Sequence, residues 1–461
     1  DLQMDNFEIP DQEKVKEYKK KFNPKELTPE SILEKHDDLM SILAHNVTNI
    51  YERNDLHSVV DLNYHSPLEI IFDGMKKNSY METAIIGDTN TGKNAVVDAI
   101  SQYYNAGLVL DAGSCTTVGL IGGMVLKKYF SWGSYIQQHR RHLTLDEGSH
   151  LSKSIEALRT VREGKADYNK ADAKRQTVCK TRLIILANDP SGYISSNPYP
   201  IMALSNLFGK EADISRFTNA FFLRSEDTPK DIINRKKPPK IDTDITREDF
   251  QFKLANAWAL KAENIEFVNG SVEKCYELAK KMSEKYECSI PLVQASVQWK
   301  KISGTAAALA SNVYHMSDDG KTLIVTWQFM VAAAMLMEKW YDSEACEYNL
   351  LAEQEKAKLK IHDTKSVMEL VFDKEKAFVS NKSIAHSLQF LISRRELTSK
   401  CMEDAFMFCT DYMVAKEITK VLHINNCIER HGMNFRKTKP FTKMLKDLLK
   451  KEKDTDRMQE A

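Results

Sequence analysis

Gly87-Asp88-Thr89-Asn90-Thr91-Gly92-Lys93-Asn94 is the stretch of this chain best suited to chemistry. The apolar run Thr83 to Ile86 precedes it and the helix-periodic run Ala95 to Ile100 follows it. Strand, glycine-bounded loop, lysine and helix is the order that holds a polyphosphate. Backbone N–H groups curl round the β-phosphate, the ammonium reaches the β and γ oxygens, and the helix N-terminus adds its positive end. Downstream, Leu143-Thr144-Leu145-Asp146-Glu147 reads as a buried strand ending in two carboxylates. Asp146 is placed to hold Mg²⁺ and Glu147 to polarise an attacking water. A glycine loop alone is often an ordinary turn; the flanking strand and helix and the Asp-Glu pair weigh against that reading. Asn94 stands where Ser or Thr normally gives a hydroxyl to Mg²⁺. Its amide oxygen suits a hard cation, but a weaker metal site or an engineered change reads equally well, and the sequence does not choose.

Other elements must position these groups. Thr28-Pro29-Glu30 is a helix start, with a capping side chain, a proline at the first helical position and an acid at the positive end. Helical spacing continues through Ile32, Leu33, Leu39, Ile42 and Leu43, and Ser66-Pro67-Leu68-Glu69 reads as a further helix start running to Lys77 and Asn78. Gly107 to Asp111 reads as a second buried strand. Gly113 to Gly123 is too glycine-rich for an uninterrupted helix and predicts a bend or an inserted loop. Leu151 to Arg162 has helical spacing. Gly164 to Val178 reads as a β-hairpin carrying Lys165, Lys170, Lys174 and Arg175, for which a solvated loop is the plain alternative. Arg182 to Asn188 is another buried strand with a polar end. Strands alternating with helices imply a parallel sheet with ligand at its carboxyl ends.

The chain has 461 residues, with Lys+Arg and Asp+Glu both 65, so nucleic acid would have to be met by a local patch rather than by bulk charge. Hydrophobic residues are 42% and charged residues 28%, a globular composition. The 8 cysteines are scattered without a Cys-x-x-Cys pair and read as reduced core thiols of a cytosolic protein, with no zinc site. No apolar run approaches the ~18 to 20 residues of a membrane span, and no signal peptide is visible. The chain starts at Asp1 rather than Met, which leaves room for an upstream segment. Asp1 to about Lys21 reads as a frayed arm or a linker from something upstream. Pro229 to Lys240, with Arg235-Lys236-Lys237-Pro238-Pro239-Lys240, reads as a joint. Thr246 to Tyr341 is helical, with Trp258, Leu260, Met282, Leu309, Met330, Leu336 and Trp340 as core candidates. From Ile361 a small, mostly helical unit follows with a basic end, and Val414 to Leu422 reads as the first helix of a helix-turn-helix suited to a winged-helix domain, with a solvated basic helix face as the plain alternative. The domains are therefore 1–65 (arm and helices), 66–240 (α/β core), 241–360 (helical lid and connector) and 361–461.

Taken together, these landmarks resemble the AAA+ ATPases that carry an insert in the second helix and a hairpin before the sensor strand. Within them the chain looks most like the minichromosome maintenance (MCM) replicative helicases. Gly87 to Lys93 stands for the nucleotide loop, and Thr117-Val118-Gly119-Leu120 for the segment entering the helix-2 insert. Gly133 through Asp146-Glu147 matches the approach to the acidic pair, and Arg162-Glu163-Gly164 through Lys170 the lead into the pre-sensor hairpin. Leu186-Ala187-Asn188-Asp189-Pro190 is similar to sensor 1, and Ser215-Arg216-Phe217 to the arginine-finger motif. The likeness covers roughly Ser66 to Asn234 and continues loosely through the lid. The loop departs from Gly-Asp-Pro-Gly-x-Ala/Gly-Lys-Ser, Thr218 replaces an expected Asp, Lys300 or Lys301 precedes the helix where a lid arginine is expected, and no stretch matches the family's amino-terminal zinc and OB-fold domain. Such divergence points by analogy to a mobile element, plasmid or virus.

The resemblance implies an AAA+ P-loop ATPase fold and an ATP- and Mg²⁺-dependent DNA helicase acting in replication. It would be a homo-hexameric ring in the cytoplasm or on the nucleoid, with single-stranded or forked DNA as partner and a primase or polymerase as a further one. Gly87 to Asn94 would bind ATP, and Asp146 and Asn94 the metal. Glu147, Asn188 and a neighbour's Arg216 would be catalytic, and Lys165, Lys170 and Lys174 would touch DNA. Two other classes compete: an AAA+ protein remodeller gripping polypeptide, for which Tyr168 in the hairpin speaks, and a nucleotide-switched initiator scaffold, for which Asn94 speaks.

Overall fold

The computed structural model describes residues 11–125, 129–153, 155–170, 173–227 and 239–356, together with parts of 389–450. The stretch expected to be an arm is a helix from residue 12, α1 (Gln12–Phe22). Asp11 caps it, and Val15, Tyr18 and Phe22 are buried at helical spacing. Tyr18 stacks on Phe252 and Phe22 meets Phe250, so aromatic packing overrides the charged composition that suggested fraying. α2 (Pro29–Ile42) starts as expected, with the Thr28 hydroxyl accepting from Ser31 N and proline in the first turn. Such a cap contributes about 1 kcal/mol. A π-helical turn leads toward α3 (Asn54–His65), which is almost wholly buried.

The helix expected from Ser66 is instead an antiparallel hairpin, β1 (Glu69–Phe72) and β2 (Met75–Asn78). Asp73 and Gly74, with φ 50° and 71°, make its two-residue turn. An Asp-Gly pair between strands favours this turn because both central residues need positive φ. Next come β3 (Glu82–Gly87), α4 (Lys93–Tyr104) and β4 (Leu108–Asp111). The interruption expected after Gly113 is a hairpin: α5 (Thr117–Ile121) gives way to β5 (Gly122–Val125) and β6 (Tyr129–Trp132), followed by α6 (Ser134–Gln137). β7 (His142–Asp146) follows. Leu151 to Arg162 is not one helix: a 3₁₀ turn over Gly148–Lys153 and a turn precede α7 (Arg159–Arg162), although Leu151, Ile155, Leu158 and Val161 are all buried. β8 (Lys165–Lys170) and β9 (Ala173–Val178) form the expected hairpin, and β10 (Arg182–Ala187) the expected strand. After α8 (Ala203–Phe208) and α9 (Glu211–Ile214) comes β11 (Asn219–Leu223), a strand the sequence reading passed over.

Five of these strands form one parallel sheet in the order β11-β3-β10-β7-β4. β3, β10 and β11 are buried along their whole length, the mark of a parallel sheet covered on both faces. β4, expected as buried, is a half-exposed edge. α3 packs on β10 and β3, and behind it lie the helices of the lid region: α10 (Arg247–Ala259), α11 (Ser271–Lys285), α12 (Gln298–Asn312) and α13 (Trp327–Tyr341). Short parallel strands β12 (Ile265–Phe267) and β13 (Leu323–Val325) interrupt them. Trp258, Met282, Leu309, Met330, Leu336 and Trp340 are buried and Leu260 is half-buried. Buried side chains of this kind are each worth about 1.5–3 kcal/mol.

By compactness, residues 1–194, 203–285 and 290–346 form one unit, so the first three helices and the lid helices belong with the sheet. The second unit comprises 195–202, 286–289 and 347–461. Its described parts hold α14 (Tyr348–Lys356), helical segments at 389–393 and 441–447, and a three-stranded antiparallel sheet of β14 (Glu396–Thr398), β15 (Ile428–His431) and β16 (Asn434–Lys437). Most of the joint at 229–240 and of the helix expected at 414–422 lies outside the described residues. The six described cysteines are free thiols. Among the described residues no helix is long and apolar enough to cross a membrane.

Candidate active site

The loop after β3 faces a small cleft of about 170 Å³ lined by Thr89, Asn90, Lys93, Asn94, Asp146, Glu147, Ala187 and Asn188. These residues come from three adjacent parallel strands. Ala187 pairs with Ile86, so Asn188 follows level with Gly87, while β7 lies on the other side of β10 and delivers Asp146 and Glu147. This is the carboxyl end of the sheet, where open α/β folds bind ligands.

The loop is held in shape by its own backbone. Asn90 and Gly92 have φ of 62° and 87°, and the Thr91 hydroxyl donates to Asp88 O at 2.9 Å. At Gly92 only glycine adopts such a φ without strain. Lys93 is buried and its three donors are engaged: Nζ lies 3.1 Å from Gly87 O, 3.1 Å from Asp88 O and 2.5 Å from Asn188 Oδ1. Burial pushes its ammonium below the ordinary lysine value, against the opposing pull of Asp146, Glu147 and Asp88.

Asn94, exposed at the first turn of α4, donates its amide hydrogen to Asp146 Oδ2 at 2.5 Å. Its Oδ1 and the Asp146 carboxylate are therefore neighbouring hard oxygen donors. Among the described residues there is no cluster of three or more His, Cys, Asp or Glu able to hold a metal. Two donors fit Mg²⁺, which commonly takes one or two protein oxygens and completes its octahedron with phosphate and water. Glu147 is exposed at the mouth with φ 53°, and its N–H donates to Asp146 Oδ1 at 2.8 Å. Strain of this kind in a non-glycine residue concentrates at functional sites. Gly148 follows, where an added Cβ would lie 2.5 Å from Ile185 Cγ2, so the chain leaves the acid tight against β10.

Asp88 differs from the rest of the loop. Its N–H donates to Leu223 O, and its buried carboxylate accepts from Ile194 N at 2.9 Å, Ser225 N at 2.8 Å and Ser225 Oγ at 3.1 Å. It fastens the loop to the segments after β10 and β11. The sequence reading placed it among the cofactor contacts; partners 106 and 137 residues away leave no local signal of the fastening.

Arg216 is not brought to this cleft. It precedes β11 at the amino end of the sheet, whereas the loop lies at the carboxyl end, roughly 17 Å away along a five-residue strand. Its guanidinium donates to Ala212 O and pairs with Glu163. The three hairpin lysines do not form one set. Cross-strand register places Lys165 and Lys174 on one face, while Tyr168 pairs with Arg175 on the other. Lys165, Lys174 and Arg175 are exposed, and Lys170 is the last residue of β8, paired with Ala173 at the tip. Tyr168 is half-buried against Phe130 of β6, with ring centroids 4.8 Å apart.

No protein-family model matches the chain, and a search of the curated proteins finds no match.

Proposed function

We propose that the chain is an ATP-dependent DNA translocase or helicase of MCM-like AAA+ type, working as a ring with ATP hydrolysed between neighbouring copies. The observation that carries the ATPase part is the meeting of Lys93, Asn94, Asp146, Glu147 and Asn188 in one cleft at the carboxyl ends of three adjacent parallel strands. Bound Mg²⁺·ATP would supply a polarised γ-phosphoryl group and a shielded leaving group. Lys93 would exchange its present carbonyl and amide acceptors for phosphate oxygens, and Asp146 with Asn94 Oδ1 would hold the cation. Glu147 would take a proton from the attacking water and Asn188 would orient that water. Arg216, too far from its own loop, would act on the loop of the next copy.

The DNA part rests on the resemblance and on exposed Lys165, Lys174 and Arg175 in the β8–β9 hairpin. Contacts of lysine with phosphates carry affinity without sequence information and weaken steeply with salt. A polypeptide-gripping remodeller finds less support, because Tyr168 packs against Phe130 rather than standing free. Strand displacement on forked DNA with and without ATP tests the whole reading. Lys93→Ala should abolish ATP turnover and unwinding together; turnover that survives intact rejects the loop assignment. Stimulation of the ATPase by peptide and not by DNA would favour the remodeller.

A further inference from the structure

The tail of α4, remote from the nucleotide loop, is held by two separate grips. The first is at the surface. Arg247, exposed at the start of α10, gives Nε to Tyr103 O and Nη2 to Gln102 O, both at 2.8 Å. One turn further along α10, Gln251 Nε2 donates to Tyr103 O at 3.0 Å. The guanidinium also lies 5.5 Å from the centre of the Tyr103 ring. The last carbonyls of a helix lack partners within it and form its negative end, so a cation bonded to two of them fixes that end and offsets its charge.

The second grip is buried. Tyr104, the last residue of α4, donates its hydroxyl to Asp61 Oδ1, and Asn312 of α12 donates its side-chain amide to Asp61 Oδ2. All three side chains are fully buried. One carboxylate of α3 therefore ties the tail of α4 to α12. Asn312 Oδ1 accepts from His36 Nδ1 at 2.8 Å, which fixes the amide in turn. Burial would raise the Asp61 carboxyl, but His65, Lys253 and the Tyr104 hydroxyl hold it well below the ordinary carboxylate value. A buried anion that loses a partner costs more than the lost bond is worth, so the carboxylate holds α3, α4 and α12 in one arrangement.

The far end of the same helix carries the chemistry. α4 begins with Lys93 and Asn94, roughly 17 Å from Tyr104 by helical rise. Between its ends it has neither glycine nor proline, the common seats of a kink. A tilt imposed at the tail is therefore delivered to the loop.

We infer that Asp61, Tyr104, Asn312 and Arg247 are positioning residues for the Lys93 cleft, through which the seating of α10 and α12 on the tail of α4 sets where Lys93 and Asn94 stand. None of the four lines the cleft. The inference rests on the ATPase reading and adds regulation of that site by the lid region from behind.

The test measures kcat and KM for ATP, well below the melting temperature, on the full chain and on Arg247→Met, Arg247→Lys and Tyr104→Phe. Arg247→Met, at an exposed position, should lower kcat about tenfold, part of the ~10²-fold that a misplacement of 1 Å can cost. Arg247→Lys still donates to the helix carbonyls and should restore part of the loss. Tyr104→Phe removes only the hydroxyl and should lower kcat in the same way. Melting temperatures recorded alongside separate positioning from stability, because a purely structural role lowers the midpoint and leaves turnover per folded chain as it was. A wild type that turns over ATP, with kcat and KM unchanged in both Arg247→Met and Tyr104→Phe, overturns the inference and leaves the ATPase reading standing. A wild type without turnover sinks the ATPase reading and this inference with it.

Discussion

Asn94 donates its amide hydrogen to Asp146, which leaves Oδ1 as the atom it can turn toward a cation. A serine hydroxyl would serve as one short-armed ligand; the amide does two things, fixing the carboxylate and offering an oxygen. Asn94→Ala removes both, so the Mg²⁺ concentration for half-maximal turnover should rise about three- to tenfold, the scale of one modest hydrogen bond or ligand contact. Metal titrations that superpose on wild type would show that Asn94 is no part of the metal site. The roles in this loop were unequally legible. Lys93, Asp146 and Asn188 lie in motifs whose chemistry is local, and the cleft joins them as expected. Asp88 lies in the same motif, yet its carboxylate is committed to Ile194 and Ser225, and only the folded chain reveals that commitment.

Among the elements, misreadings share a cause: a local signal with two outcomes. Ser66-Pro67-Leu68-Glu69 has the residues of a helix start, but Ile70 and Phe72 are buried alternately and Asp73-Gly74 closes a hairpin. Leu151 to Val161 has helical spacing because four positions at that interval are buried, and a 3₁₀ turn that packs on β10, followed by further turns, buries them as well as a helix would. The β8–β9 hairpin was legible because its tip is polar and its strands alternate. Lys170 ends β8, at the tip of the hairpin to which the proposed function gives DNA contact. Lys170→Ala should leave basal ATP turnover intact and lose strand displacement; unchanged displacement rejects the gripping role. β7 carries a different consequence. His142 is fully buried, its ring 3.8 Å from that of Tyr64, and neither ring nitrogen is hydrogen-bonded. Burial, aided by Arg182, pushes it down to about 3. The unfolded chain takes this proton near the ordinary value of about 6.5, so it binds more protons than the folded chain between those limits. The stability His142 contributes is complete above about pH 6.5 and is lost as pH falls toward 3. His36 and His57, lowered chiefly by burial, act in the same direction. Melting temperature should therefore drop between pH 7 and 5, and His142→Phe, which fits the same stack, should flatten that slope. A slope unchanged by the substitution would assign the acid sensitivity elsewhere.

At the scale of the whole molecule, the sheet separates two sets of groups that ATP hydrolysis at a seam between copies would need together. Lys93, Asp146, Glu147 and Asn188 gather at its carboxyl end, and Arg216 stands before the amino end of β11. A single copy cannot fold Arg216 back to its own loop without dismantling β11, whose five residues are buried and paired with β3. The active arrangement proposed above therefore requires one copy's loop against another copy's arginine, and it can be tested by complementation. Lys93→Ala and Arg216→Ala chains, each inactive alone, should recover part of the ATPase when mixed, because an intact loop from the Arg216→Ala chain then meets an intact arginine from the Lys93→Ala chain. In a ring of randomly mixed copies at equal ratio about a quarter of the interfaces are of that kind, so recovery should peak there and fall toward either pure variant. Arginine fingers are worth about 10³ to 10⁵ in rate where they act, so even a small number of competent interfaces stands clear of the background. Exchange of copies can be followed by energy transfer between two labels. With exchange established and no recovery at any ratio, the shared site is excluded and Arg216 keeps its contacts with Glu163 and Ala212 O within its own copy.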